Sequence, residues 1–271
     1  MASPGPPDEQ QAAAAAIEAQ EQDASAPQIL LDGYGCRVKR RPGNLVVKHG
    51  RSVTVAEREA LAYAGTLSLP AGAGGDGVSI WMDYVDGAVL EDVWPDMTAE
   101  QKMDVARQLR AILEEMRRQT SPLGAATMIA SCGGGALSDR RTYNVCHGGP
   151  FADEAAFDAF QLDVYKPTPR EVRDALARAL EQQQRSKQHR VVFTHGDLTQ
   201  FNIIVDKDSY RIRALLDWEY AGWYPEHWEY VKFVDTHPKH KDWRDYARYI
   251  LPRQNLDELV VYQALKRWQV A

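Results

Sequence analysis

Residues 191–230, VVFTHGDLTQFNIIVDKDSYRIRALLDWEYAGWYPEHWEY, contain the strongest structural signal in this sequence. Three short apolar runs divide the stretch, at residues 191–193, 203–205 and 214–216, and their length and composition predict β-strands. The turn-forming sequence DKDS at residues 206–209 separates the second run from the third. These runs therefore predict a hairpin that follows a buried strand.

A polar side chain stands beside each of the predicted strands. Asp197 follows the first strand, Asn202 precedes the second, and Asp217 directly follows the third. We expect these three side chains to converge, because the hairpin returns the chain to the end of the first strand. Carboxylate and amide oxygens are suitable ligands for Mg²⁺, and phosphoryl transfer needs such ligands together with a carboxylate that accepts or orients a proton. The stretch therefore predicts a kinase site.

The sequence HGDLTQFN, followed by LLDWEYAGWYPEHWE, resembles the aminoglycoside and choline phosphotransferase family. Members of this family are small-molecule kinases with a protein-kinase-like fold. The resemblance implies that Asp197 is the catalytic base and that Asn202 and Asp217 bind Mg²⁺, while Glu219 assists a second metal ion. His195 is expected to brace the loop, because the neighbouring aspartate already supplies the base.

The resemblance also implies the fold class, which is α+β. A bilobal, protein-kinase-like fold is expected, with a small antiparallel β lobe that carries one helix and a larger, mainly helical lobe. The predicted divisions are a disordered tail over residues 1–27, a nucleotide-binding lobe over 28–86, and a lobe with the catalytic, magnesium and acceptor sites over 87–271. The tail is rich in Ala, Gln, Pro and acidic residues and has few large apolar groups to bury.

Lys48 closes an apolar run and resembles the lysine of the VVK strand in this family. The resemblance implies that its ammonium group holds the α- and β-phosphates of ATP. It also implies that Glu57, on a helix predicted over residues 55–64, pairs with Lys48. Two alternatives remain open: Glu59 as the partner, and a capping box in which Glu57 serves only the helix N-terminus beside Thr54.

Residues 80–87, IWMDYVDG, resemble the hinge that joins the two lobes in this family. The resemblance implies that adenine contacts the main chain there, at the carbonyl group of Asp83 and the N–H group of Val85. Side-chain identity matters little at such positions.

The segment 121–151 is rich in loop-forming residues and ends in GPF at 149–151. Fungal-type members of the family carry a similar GPF segment near the acceptor cleft, so this segment is expected to select the substrate. A zinc site formed by Cys132, Cys146 and His147 is a weaker alternative, because paired CxxC spacing is missing.

The composition excludes several other classes of function. The chain has 271 residues, of which 44% are hydrophobic and 26% charged, and a formal charge of −6 disfavours an extended nucleic-acid surface. No apolar run approaches the roughly 20 residues that a membrane span needs. Three cysteines are too few for a disulfide framework, which favours a cytoplasmic location.

The predicted function is ATP-dependent transfer of the γ-phosphate to a hydroxyl group of a small molecule, with ATP and Mg²⁺ as cofactors. The acceptor is expected to resemble an aminoglycoside, choline or another metabolite, and no nucleic acid, membrane or obligate protein partner is expected. Two alternatives remain: a non-catalytic kinase-like module that binds a nucleotide or a partner, and a protein kinase. HGD in place of HRD, and the absence of DFG and APE segments after Asn202, disfavour the protein kinase.

Overall fold

The computed structural model describes residues 28–33, 35–65, 73–74, 77–119, 121–141, 145–163 and 168–268. The predicted tail, residues 1–27, lies outside this part of the chain. Two compact units are present: the smaller comprises Met1–Thr54 with Leu67–Tyr84, and the larger comprises Val55–Thr66 with Val85–Ala271. The helix predicted to belong to the small lobe thus groups with the larger unit, and the lobe boundaries stay a prediction.

Among its described residues, the smaller unit is an antiparallel sheet with the strand order β1-β2-β3-β5-β4. The strands are β1 (Gln28–Gly33), β2 (Cys36–Arg41), β3 (Leu45–Gly50), β4 (Ala73–Gly74) and β5 (Gly77–Asp83). The tight turn between β2 and β3 uses positive φ angles at Gly43 and Asn44, which suit a hairpin connection. The Asn44 side chain also donates a hydrogen bond of 3.1 Å to the carbonyl oxygen of Tyr84, which ties this turn to the chain after β5.

The larger unit is mainly helical. Its α-helices in the described residues are α1 (Val55–Tyr63), α2 (Leu90–Val93), α3 (Ala99–Arg118), α4 (Glu154–Asp163), α5 (Arg170–Ser186), α6 (Trp228–Asp235), α7 (Ala247–Ile250) and α8 (Leu256–Arg267). A capping box starts α3, because Thr98 and Gln101 exchange side-chain to backbone hydrogen bonds. Apolar residues at helical spacing then bury one face of α3, from Val105 to Met116.

Short antiparallel strands of the larger unit position the polar loops. They are β6 (Ala88–Val89), β7 (Leu137–Arg140), β8 (Val145–Gly148), β9 (Val191–Thr194), β10 (Ile203–Val205), β11 (Ile212–Leu215) and β12 (Gly222–Pro225). Strand β10 pairs with β11 in the predicted hairpin and with β6 on its other edge, while β9 pairs with β12. The chain therefore leaves β9 and enters β10 close to the point at which β11 ends.

Aromatic side chains dominate the core of the larger unit. Trp94 is 1% exposed and packs edge-on against Trp243 with ring centroids 5.2 Å apart. The rings of Phe193 and Trp218 stack at 5.6 Å, directly beside the strand that leads to Asp197. These large rings stabilise the frame of the loops, since each buries a large apolar area. None of the described helices combines the length and the apolar character that crossing a bilayer requires.

Candidate active site

The loop after β9 turns sharply at Gly196. This residue has φ +81°, and a Cβ atom placed on it would lie 2.8 Å from the carbonyl oxygen of Tyr220. Only glycine adopts such a conformation without strain and also permits so close a backbone approach. The HGD sequence thus folds into a turn that delivers Asp197 to the end of β9.

His195 contacts the loop backbone through both of its ring nitrogens. Its Nε2 lies 3.0 Å from the carbonyl oxygen of Leu216, and its Nδ1 lies 3.3 Å from the backbone nitrogen of Asp197. This pattern assigns the proton to Nε2, because Nδ1 accepts the Asp197 N–H. Burial lowers the pKa of His195 to about 4, so the ring is neutral. These contacts agree with the expected bracing role.

Glu229, in the first turn of α6, holds the same loop from the other side. One carboxylate oxygen accepts the His195 N–H at 2.7 Å, and the other accepts the Gly196 N–H at 3.1 Å. The residue is 1% exposed, and burial raises the pKa of its carboxyl group to about 7. Sequence reasoning missed this residue; the available signal was an acid in a helix otherwise rich in buried aromatic residues.

Asp197 and Asn202 form a direct hydrogen bond in the buried end of the loop. The Asn202 amide nitrogen donates to the Asp197 Oδ2 and to the Asp197 backbone carbonyl, both at 3.0 Å. With its amide hydrogens used in this way, Asn202 has its Oδ1 atom to offer to a cation. A short 3₁₀ turn, Gln200–Asn202, places the residue directly before β10.

Asp217 lies at the end of the hairpin, where Leu216 donates its N–H to the carbonyl oxygen of Asn202 at 2.8 Å. Its φ of +61° is uncommon for a residue other than glycine, and such conformations cluster at functional sites. Burial raises the pKa of Asp197; the Arg140 guanidinium opposes this shift, and the nearby negative charge of Asp217 adds to it. The structure thus brings together Asp197, Asn202 and Asp217, as the sequence predicts.

Arg140 is a further charged neighbour of Asp197, and sequence reasoning did not find it. Its guanidinium Nη1 lies 3.8 Å from the Asp197 Oδ2, and the side chain is 63% exposed. The buried Lys232 holds the end of β7 in place, with hydrogen bonds to the Asp139 carboxylate at 3.0 Å and to the Arg140 carbonyl at 2.7 Å. A loop-rich segment carries no periodic pattern that would have placed an arginine here.

Two further carboxylates lie beside Asp217. Oxygen atoms of Glu57, Asp217 and Glu219 all lie within 4.8 Å of one another. These three carboxylates are a donor set made only of oxygen, which is the chemistry that Mg²⁺ prefers, and Asn202 beside Asp197 carries a further oxygen donor. The residues present therefore fit a bound magnesium ion.

The other predicted nucleotide-binding residues lie in or next to the smaller unit. Lys48 occupies β3, where it pairs with Val38 and Ile80 of the neighbouring strands, and it is 7% exposed. Asp83 ends β5, and Val85 follows shortly after it. The contacts of these residues with a nucleotide, and the pairing of Lys48 with Glu57, stay predictions.

Solved structures with a similar fold are aminoglycoside phosphotransferases. APH(4)-Ia is 15% identical, covering 95% of this chain and 89% of its own, with a TM-score of 0.64. A thermostable mutant of APH(4)-Ia in ternary complex with ADP and hygromycin B is 14% identical, covering 94% and 88%, with a TM-score of 0.64. A ternary complex of APH(2")-IIa with streptomycin and ATP is 12% identical, covering 93% and 86%, with a TM-score of 0.60. These similarities confirm the predicted kinase-like fold class.

A family model described as "Phosphotransferase enzyme family" matches residues 37–259. This match includes the loop after β9, the β10–β11 hairpin and Lys48. No curated protein matches the sequence significantly. The predicted class of enzyme, a phosphotransferase that acts on small molecules, is confirmed, and this chain belongs to the phosphotransferase enzyme family denoted APH.

Proposed function

We propose that this protein transfers the γ-phosphate of ATP directly to a hydroxyl group of a small molecule. One observation carries the proposal: a buried aspartate, Asp197, is hydrogen-bonded to Asn202 and lies beside a second aspartate, Asp217. Phosphoryl transfer depends mainly on positioning and on charge stabilisation, and this arrangement supplies groups for both.

Asp197 is the proposed base for the acceptor hydroxyl. Its side chain is 10% exposed, and the hydrogen bond from Asn202 fixes its orientation. Burial raises its pKa and makes the ionised carboxylate a better proton acceptor, while the Arg140 guanidinium opposes protonation. The Asp197 side chain is therefore both a good proton acceptor and fixed in its orientation.

Asn202 and Asp217 are the proposed magnesium ligands, and Glu219 is a further carboxylate beside them. A bound Mg²⁺ neutralises charge on the phosphates that take part in the reaction. The protein contributes to this binding through the hydrogen bonds that direct the Asn202 amide and through the turn that holds Asp217 next to Glu219.

The nucleotide contacts rest on the sequence resemblance. Lys48 is proposed to hold the α- and β-phosphates of ATP, with Glu57 fixing the lysine side chain. The Asp83 carbonyl and the Val85 N–H are proposed to contact adenine. Support for a bound nucleotide comes from the similar structures, which include one ternary complex with ADP and another with ATP.

The acceptor is proposed to be a hydroxylated small molecule selected by the segment 121–151, as in the fungal-type members that the GPF sequence resembles. The β7–β8 hairpin belongs to this segment and carries Arg140, whose guanidinium lies near the Asp197 carboxylate. Hygromycin B and streptomycin, which are bound in two of the similar structures, are therefore the first acceptors to test. Choline-like alcohols and sugars are the other proposed acceptors. The proposed location of the protein is the cytoplasm.

The test is ADP release across a panel of hydroxylated acceptors, with mass spectrometry for the added phosphate. The proposal expects one class of acceptor to stimulate ADP release well above the rate with water alone and to gain one phosphate. A thermal-shift titration with ATP, with and without Mg²⁺, accompanies the panel. Binding of Mg·ATP without phosphorylation of any acceptor would favour the non-catalytic module instead.

A further inference from the structure

Four polar side chains, three of them almost fully buried and one partly exposed, form a second cluster away from Asp197, within the larger unit. The histidine–glutamate cluster consists of His189, His227, Glu154 and Glu258. Glu154 begins α4, His189 precedes β9, His227 directly precedes α6, and Glu258 lies in the first turn of α8. Four separate elements of the fold therefore meet at this point.

The atoms of the cluster are spaced as metal ligands are. The Oε1 atom of Glu154 lies 2.8 Å from Nδ1 of His189 and 3.5 Å from Nδ1 of His227. One ligand atom from each of these three residues lies within 4.8 Å of the other two. Tetrahedral Zn²⁺, with bonds of about 2.0–2.1 Å, keeps its ligand atoms roughly 3.3–3.4 Å apart. One of the two measured separations already fits, and the other needs to open by about half an ångström.

Several polar atoms of the cluster are buried without a hydrogen-bond partner. They include Nδ1 of His227 and Oε2 of Glu258. The side chains of His227 and Glu258 are 9% and 2% exposed, so bulk water does not satisfy them. Buried polar atoms are rarely left unpaired in native proteins. A bound ion would supply the missing partner for His227 and orient the atoms around it.

We propose that Glu154, His189 and His227 bind a divalent transition-metal ion, for which Zn²⁺ is the best fit. Two imidazole nitrogens and one carboxylate oxygen are borderline ligands of the kind that Zn²⁺ accepts, whereas Mg²⁺ prefers oxygen alone. This site is separate from the oxygen-only group at Asp217.

Glu258 has the position of a supporting carboxylate for this site. Its Oε1 lies 3.3 Å from Nε2 of His189, on the side of the ring opposite to the Nδ1 atom that faces Glu154. Histidine ligands commonly direct their second nitrogen to a carboxylate, which fixes the orientation of the ring. Lys187 holds Glu258 in turn, with its Nζ 2.7 Å from the same oxygen.

The site also has room for a fourth ligand. A cavity of about 20 Å³ is lined by Glu154, His227 and Glu258, among other residues. That volume holds one water molecule, which would complete a tetrahedral arrangement around the ion.

A metal at this position would stabilise the frame of the candidate active site. His189 lies two residues before the start of β9, which leads to Asp197, and His227 lies two residues before Glu229, which holds the loop after β9. The ion would therefore join the two segments that fix the Asp197 loop. Its role is structural, because the ligands do not contact the proposed reacting groups.

The test uses the full chain, stripped of metal with a chelator and kept in excess Mg²⁺ so that the Asp217 site is saturated. Titration with Co²⁺ is expected to produce the visible absorption bands of tetrahedral coordination, with saturation at one equivalent and displacement by Zn²⁺. The His227→Asn variant is expected to lose these bands, whereas the His237→Asn and Asp217→Asn controls retain them. Zn²⁺ should also raise the melting temperature of the wild type and of both controls.

Octahedral or absent Co²⁺ bands in the wild type, or bands that the His227→Asn variant retains, would overturn the proposal and leave only a hydrogen-bonded His–Glu cluster. Circular dichroism checks whether the variant folds. If it does not, X-ray absorption of the Zn²⁺-loaded wild type decides: two imidazole ligands support the site, and a shell of oxygen ligands alone refutes it.

Discussion

Replacing Glu229 with alanine removes the acceptor for two backbone donors of the loop that carries Asp197. The carboxylate accepts the N–H groups of His195 and Gly196, and the residue is almost completely buried. Glu229→Gln keeps the size of the side chain but only one oxygen, so that its amide group faces one of the two donors. The two variants therefore remove different numbers of hydrogen bonds at the same position.

The expected magnitudes follow from the two bonds. Each buried N–H group that loses its partner costs about 1–3 kcal/mol. Glu229→Ala should therefore lower the free energy of unfolding by about 2–6 kcal/mol, and Glu229→Gln by about 1–3 kcal/mol. For a chain of this size, each kcal/mol corresponds to a melting temperature lower by about 2–4 °C. A displacement of the Asp197 carboxylate by about 1 Å would lower kcat by roughly 100-fold.

Urea unfolding and steady-state kinetics of the folded fraction measure both effects. We expect the order wild type, Glu229→Gln, Glu229→Ala in stability and in kcat, with a smaller change in the KM for ATP. Glu181→Ala is the matched control, because Glu181 is 61% exposed and its i,i+4 pair with Arg185 contributes about 0.3–0.5 kcal/mol. If Glu229→Ala matched this control in stability and in kcat, the bracing role of Glu229 would be wrong.

Two further substitutions test the geometry around Asp197. Gly196→Ala should lower the free energy of unfolding by more than the roughly 1–2 kcal/mol that a left-handed residue costs, because the new Cβ atom would also lie 2.8 Å from the Tyr220 carbonyl oxygen. Gly124→Ala is the control, because Gly124 has φ +82° and open space around it. Equal losses of unfolding free energy in the two variants would contradict the contact. Arg140→Gln removes a charge that lowers the pKa of Asp197, so that pKa rises and the acid limb of kcat/KM moves to higher pH. Because the Arg140 side chain is 63% exposed, solvent weakens this interaction. A shift to lower pH, or an equal shift in the Arg170→Gln control, would refute the interaction.

Local patterns predicted the parts of the fold that depend on neighbouring residues. The β10–β11 hairpin follows from two apolar runs around a DKDS turn, and the start of α3 follows from the capping box of Thr98 and Gln101. Apolar residues of α3 differ in burial at the edge of its inner face, where Val105 is buried and Met103 is partly exposed. Helical periodicity predicts which side of a helix is buried, whereas packing against neighbouring elements decides whether residues at the margin of that side are exposed.

Contacts between distant segments were beyond such patterns. Glu229 reaches the backbone of a residue 34 positions earlier, and Arg140 approaches Asp197 from a separate hairpin. The weaker alternative, a metal site at Cys132, Cys146 and His147, is not among the groups of possible metal-ligating side chains in the described residues. One of those groups contains His189 and His227 instead. Those histidines lie at the ends of different elements, so no spacing in the sequence connects them.

Asp197→Ala, assayed in parallel for turnover and for Mg·ATP binding, tests the central claim most directly. The side chain is proposed to act on the acceptor hydroxyl while Asn202 and Asp217 hold the metal, so turnover should be lost and the affinity for Mg·ATP should stay close to that of the wild type. Asp208→Ala, in the exposed turn of the hairpin, serves as the control and should retain both. Turnover in Asp197→Ala equal to that of the wild type would contradict the assignment of this residue as the base.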